Sequence, residues 1–118
     1  MYVDVLTMAG KSKNDLLSGT LDLLVLRVLD AGPRHGYSIA RRIEQISEDV
    51  LAVQQGSLYP ALHRLEDKAL VEASWEIGES KKPAKVYRLT KAGKAQLEKE
   101  TQSWVSVSAA INLVLSKA

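Results

Sequence analysis

The sequence predicts a mainly α-helical fold that carries one small β-hairpin and ends in a long C-terminal helix. Three observations predict it. Apolar residues recur at helical spacing through the first half of the chain. Between Val71 and Leu89 the period changes to two, the mark of half-buried strands. A helical period then returns and runs to the end.

The totals fit such a fold. At 118 residues the chain has the size of one domain. Its 46% apolar and 25% charged residues are the composition of a soluble globular protein. Phe is absent, so Leu and Val must supply most of the core. Cys is also absent, which excludes disulfides, thiolate nucleophiles and Cys-based zinc sites and fits a reducing cytoplasm. The most apolar run, LDLLVLRVL (21–29), is too short to cross a membrane and is broken by Asp22 and Arg27. Residues 1–12 read as a flexible leader, with Met8 an alternative start. The net charge of +2 says little about a nucleic-acid partner, so the distribution of charge has to decide.

The first helix is expected over residues 14–32. Leu17, Leu21, Leu24, Val25, Val28 and Leu29 form one stripe, and Gly32-Pro33 stops it. A second, shorter helix spans 35–47, with Tyr37, Ala40, Ile43 and Ile46 inward and Arg41, Arg42, Glu44 and Gln45 outward or flanking. Residues 48–55 connect it to a third helix. There Pro60 places the start near Gly56–Ser57, because proline is cheap only where N–H groups lack acceptors, and Ser57 is the expected cap. Leu58, Leu62, Leu65 and Ala69 gather on one side, Pro60 and His63 lie opposite, and Ser57, Tyr59 and Arg64 flank them. Val71, Ala73, Trp75 and Ile77 share the apolar face of a strand, where Trp75 is expected to be core. A loop follows at 78–84 and a second strand at 85–89, and Thr90 is a suitable N-cap for the final helix. Three helices followed by a two-stranded hairpin is the layout of a winged helix-turn-helix. Its division is a leader at 1–12, a winged-helix domain at 13–90 and a C-terminal helix at 91–118.

A helix-turn-helix reads DNA with the N-terminal part of its second motif helix. The third helix offers hydroxyl, aromatic, imidazole and guanidinium groups there, beside free N–H groups suited to phosphate. The same face can also be read as an ordinary solvated one. Lys81 and Lys82 in the hairpin loop, with Lys85 just beyond, form a natural phosphate clamp and favour the DNA reading.

Four stretches resemble the PadR-like family of bacterial transcriptional regulators: LSGTLDLLVLRVL, GPRHGYSIARRI, GSLYPALHRLEDKALV and KVYRLTKAGKAQLE. They cover residues 17 to about 98 in order. The resemblance implies a winged-helix domain, a homodimer through the C-terminal helix, and repression relieved by small molecules. It places Gln55, Ser57, Tyr59, His63 and Arg64 on the recognition surface, and Tyr37 and Ser38 near the DNA backbone; Tyr37 is equally readable as core. Ala69 departs from the pattern, since glycine is usual before the first wing strand. With one C-terminal helix, the chain resembles the short subgroup, which includes sensors of planar, often cationic drugs.

In that last helix Leu97, Trp104 and Ile111 are seven apart, with Val107 and Val114 between them in a heptad-like pattern, and Glu100 breaks the second register once. Such a stripe calls for a second subunit and makes these five residues the expected dimer interface. Trp104 is readable as an interface anchor or as a stacking surface for a flat aromatic effector, with Val107 as lining and Glu100 favouring a cation. No enzyme is expected: the two histidines, His35 and His63, fit no metal or triad spacing, and no cofactor motif appears. The expected partners are double-stranded DNA, a second copy of the chain and a planar ligand, in the cytoplasm. The rival reading is a winged-helix adaptor that binds only protein.

Overall fold

A computed structural model describes residues 14–118, with side chains from residue 19 onward. The leader expected at 1–12 and the Leu17 side chain lie outside the described part. The element order is α1 (Asn14–Asp30), β1 (Arg34–His35), α2 (Gly36–Ile46), α3 (Gln55–Asp67), β2 (Val71–Ile77), β3 (Pro83–Leu89) and α4 (Lys91–Lys117). The fold is thus mainly helical with a small antiparallel sheet and a long C-terminal helix.

The core lies where α1, α2 and α3 meet the base of the sheet. Val25 and Leu26 of α1, Ile39 of α2, and Leu58, Ala61 and Leu62 of α3 are almost fully buried. Val71, Tyr87 and Leu97 close it from the sheet and α4. With no Phe available, branched aliphatic side chains fill the space, as the composition implies.

α1 stops at Asp30, two residues before its expected end. Gly32 takes φ 149°, a region in which only glycine is comfortable, and turns the chain into β1. This two-residue strand has no legible period and was not expected. It pairs with the middle of β3, Arg34 opposite Tyr87 and His35 opposite Val86, so the sheet order is β1-β3-β2. β3 begins at Pro83, which shortens the expected loop to residues 78–82.

Four apolar side chains expected inside are not. Trp75 is 68% exposed and Ile77 is exposed with it, because the β2–β3 pair runs past the helices and, of β2, only Val71 and Ala73 reach the core. Tyr37 (65% exposed) and Ile46 are also out, since the inward face of α2 is carried by Ile39, Ala40 and Ile43.

The C-terminus of α3 folds back on itself around Ala69. Leu70 N–H reaches Leu65 O and Ala69 N–H reaches Glu66 O, each at 2.9 Å, which is a Schellman closure. Ala69 sits at φ 58°, the conformation that favours glycine, so the departure noted in the sequence carries a backbone cost. The helix ends at Asp67, two residues before Ala69, which is exposed and takes no part in the core.

Candidate nucleic-acid interface

α3 opens from Gln54, whose extended backbone lets its carbonyl accept from Ser57 N–H (3.0 Å) and Leu58 N–H (2.9 Å). The cap position belongs to Gln54, whose side chain makes no cap hydrogen bond, so the expected Ser57 cap is corrected. The connector decides the start: Val53 N–H donates to Glu44 Oε2 (3.0 Å), holding the chain extended until Gln54. The helix therefore begins earlier, and Pro60 lies in its second turn. By helical spacing Pro60 withdraws the N–H that would serve the Gly56 carbonyl. That acceptor stands on the exposed side, where solvent or a partner can use it.

Leu58, Ala61, Leu62 and Leu65 face the core, while Gln55, Tyr59, Pro60 and His63 are exposed. Ser57 is half-buried on the flank. Tyr59 also has a packing task. A side chain at Gly36 would lie 3.1 Å from the Tyr59 ring, so the glycine at the start of α2 makes room for that ring. The contact brings Tyr37 and Ser38 beside the second turn of α3. Ser38 Oγ accepts a hydrogen bond from Arg34 Nη1 (2.7 Å), an arginine that sequence reasoning passed over.

Two expected DNA contacts are engaged inside the protein. Arg64 does not project freely: Nη2 donates to Asp22 Oδ1 (2.8 Å) and Nε to Asp22 Oδ2 (3.4 Å), across to α1. The hydrogen bond to Asp22 pushes the Arg64 guanidinium up, so the group is firmly charged. Lys85 is corrected more fully. It sits within β3, bonds Glu66 Oε1 of α3 (3.3 Å) and lies 5.5 Å from the centre of the Tyr87 ring. Partial desolvation is the largest single influence and works against its charge, but Glu66 and Tyr87 together outweigh it and Lys85 is raised. This lysine clamps sheet to helix. Lys81 and Lys82 remain as exposed cations of the loop, which Lys81 turns at φ 62° with its N–H on Gly78 O (2.9 Å).

Asp22 was the missed partner. Its signal was present in the sequence: it is a lone carboxylate inside the most apolar run of the chain.

α4 starts from Thr90, whose Oγ1 accepts from Gly93 N–H at 2.9 Å. Gly93 is pressed against the hairpin: a Cβ there would strike the Leu70 carbonyl oxygen and lie 2.7 Å from Leu89 Cδ1. Leu97 is 4% exposed and belongs to the core of this chain, which corrects its assignment to the dimer stripe. The helix must first dock on α1, and Leu97 supplies that contact. Trp104 (49% exposed), Val107, Ile111 and Val114 remain uncovered. A groove of about 240 Å³ lies beside the indole, lined by Gly19, Thr20 and Leu23 of α1 and by Glu100, Ser103, Trp104 and Val107 of α4. Glu100 there accepts from Gln96 Nε2 at 2.6 Å. Among the described residues no cluster of His, Asp or Glu could hold a metal ion, and no helix is long and apolar enough to cross a membrane.

Over residues 25–99 the chain matches the family described as "Transcriptional regulator PadR-like family". It is 30% identical over 93 residues to the "Transcriptional regulator YqjI" of Escherichia coli strain K12, covering 79% of this chain and 43% of that protein. A PadR family transcriptional regulator from Eggerthella lenta has a similar structure, with TM-score 0.76 and 27% identity over 99% of this chain and 97% of that one. Bacillus subtilis PadR, solved in complex with operator DNA, gives TM-score 0.63 and 26% identity over 70% of this chain and 46% of that one. The chain therefore spans less than half the length of the E. coli and B. subtilis proteins, and nearly all of the E. lenta structure.

Proposed function

Because the chain belongs to the PadR-like family of transcriptional regulators, a family of DNA-binding proteins and not of enzymes, we propose that it is a sequence-specific repressor acting as a homodimer on an inverted repeat. The observation that carries this reading is the bare outer face of the first two turns of α3, flanked by the start of α2. In the proposal α3 enters the major groove and presents Gln55, Ser57, Tyr59 and His63 to base edges. Tyr37 and Ser38 approach the backbone, and Lys81 and Lys82 meet phosphates at the far end of the hairpin. The B. subtilis relative bound to operator DNA supports the same use of the fold.

Residues 13–90 form the DNA-binding unit and 91–118 the dimerisation helix. Trp104, Val107, Ile111 and Val114 are the proposed dimer face, since an apolar stripe on a helix that nothing else covers marks an interface. The groove beside Trp104, with Glu100 and Val107 in its lining, is the proposed site of a planar aromatic effector that relieves repression. A ligand there acts only if it binds one spacing of the two recognition helices better than another. The protein works in the cytoplasm.

Selection of bound fragments from a random duplex library tests the function. An inverted repeat with half-sites about 10 bp apart is expected. Lys82→Ala should flatten the slope of log K against log salt by about 0.9. Failure to enrich any sequence, with affinity indifferent to salt, would instead favour the protein-binding adaptor. Titration with ethidium, a planar cation, checks the groove: fluorescence quenching that persists undiminished in Trp104→Ala rules out this site.

A further inference from the structure

We propose that Asp22 of α1 is a positioning residue for DNA recognition: it grips the Nε–Nη2 edge of Arg64 so that the remaining edge of the guanidinium meets the duplex in one fixed orientation. The inference rests on the DNA-binding reading above and deepens it.

The geometry carries it. A guanidinium is a rigid planar fork with five N–H donors. Asp22 takes two of them, from Nε and Nη2, at 3.4 and 2.8 Å. The donors on Nη1 make no bond to that carboxylate. Arg64 is 41% exposed and Asp22 14%, so the carboxylate lies beneath the cation and the cation faces outward. The carboxylate is also anchored on a fixed element, because its neighbours Leu21, Val25 and Leu26 are core residues.

Two outcomes on DNA binding can be weighed. Arg64 could leave Asp22 for a phosphate, but that would strand a mostly buried carboxylate without its cation, which is costly. Keeping the pair avoids this cost. With the pair kept, Asp22 offsets the charge of Arg64, so Arg64 adds little to counterion release. Its contribution is then orientation: an aimed donor pair on the same flank of α3 as Ser57, two turns away. Asp22 therefore trades bulk attraction for discrimination between sequences.

The test compares two probes, a duplex recovered by the selection and a mixed-sequence duplex of equal length, titrated over a salt series. Asp22→Asn should cut the affinity ratio between the two about tenfold. It should also steepen the salt slope on the mixed duplex by about 0.9, because one cation is no longer offset. The added slope should vanish in Asp22→Asn/Arg64→Ala. Arg64→Lys keeps the charge and loses the fork, so it should lower the ratio and leave the slope alone; it carries the test if Asp22→Asn folds poorly. An unchanged ratio in either single variant overturns the proposal. Equal weakening on both duplexes also overturns it, since that is the mark of a purely structural pair. If the wild-type chain binds neither duplex, the DNA-binding reading falls first and takes this inference with it.

Discussion

The two halves of α4 use their apolar residues in opposite ways. In the first two turns Gly93 lies against the Leu70 carbonyl, Leu97 fills the core, and Lys94 reaches Asp30 of α1 at 2.7 Å. From residue 102 onward only Ser108 is even half-buried, and Trp104, Val107, Ile111 and Val114 stand in the open. The helix is continuous, and at 1.5 Å per residue its 27 residues span roughly 40 Å. The whole described chain measures 56 × 29 × 24 Å, so part of this helix has to project beyond the domain. What differs is not the residues but what lies beside them. The contrast teaches that one helical stripe can serve two purposes in sequence, first closing a domain and then offering a surface to a second molecule.

Substitutions on either side of that divide should separate the two uses. The largest effects are expected in the docked half. Gly93→Ala drives a methyl group into the Leu70 carbonyl and should cost about 3 kcal/mol through overpacking. Leu97→Ala should cost about 2–5 kcal/mol by leaving a cavity. Both losses should appear in thermal unfolding at every protein concentration. Ile111→Asp in the open half should do something else: the folded domain persists, self-association by sedimentation weakens, and the dependence of Tm on concentration disappears. Equal behaviour of Leu97→Ala and Ile111→Asp would erase the distinction between the halves.

A smaller effect sharpens the same comparison from the seat on which α4 docks. The single proton of Thr90 Oγ1 is shared between the carbonyls of Ala69 and Leu70, at 2.8 and 3.0 Å, and Ala69 holds its left-handed conformation against the preference of an L side chain. Ala69→Gly removes that strain but adds freedom to the unfolded chain. The net expected gain is roughly 0.5–1 kcal/mol in denaturant unfolding. A loss of stability would mean that the methyl group packs against something that matters more than the strain.

The elements were legible in the sequence because period and punctuation are local. The helical spacing of Leu58, Leu62 and Leu65, the alternation from Val71, and Thr90 ahead of the last helix all reappear in the structure. The candidate site was legible as a surface: Gln55, Tyr59, His63, Lys81 and Lys82 are all exposed. Helix ends were less so. Ser57 reads as a cap, but the true start is set by Glu44 holding Val53, nine residues further along the chain.

What only the tertiary structure decided is which long side chains were already spoken for. By sequence Arg64 is a cation on the flank of α3 and Lys85 a cation at the start of the second strand, and nothing within a few residues of either reveals its partner. Asp22 is 42 residues from Arg64, and Glu66 is 19 from Lys85, so each pairing depends on how one element is laid across another. The same holds for apolar groups. Trp75 and Leu97 both continue an apolar pattern, yet one is exposed and the other buried, because the helices end before the hairpin does and α1 lies under the start of α4. Periodicity determines which face a residue occupies. How far along that face the neighbouring layer extends is a property of the packed molecule, since burial needs a second surface and the sequence of one element does not contain it.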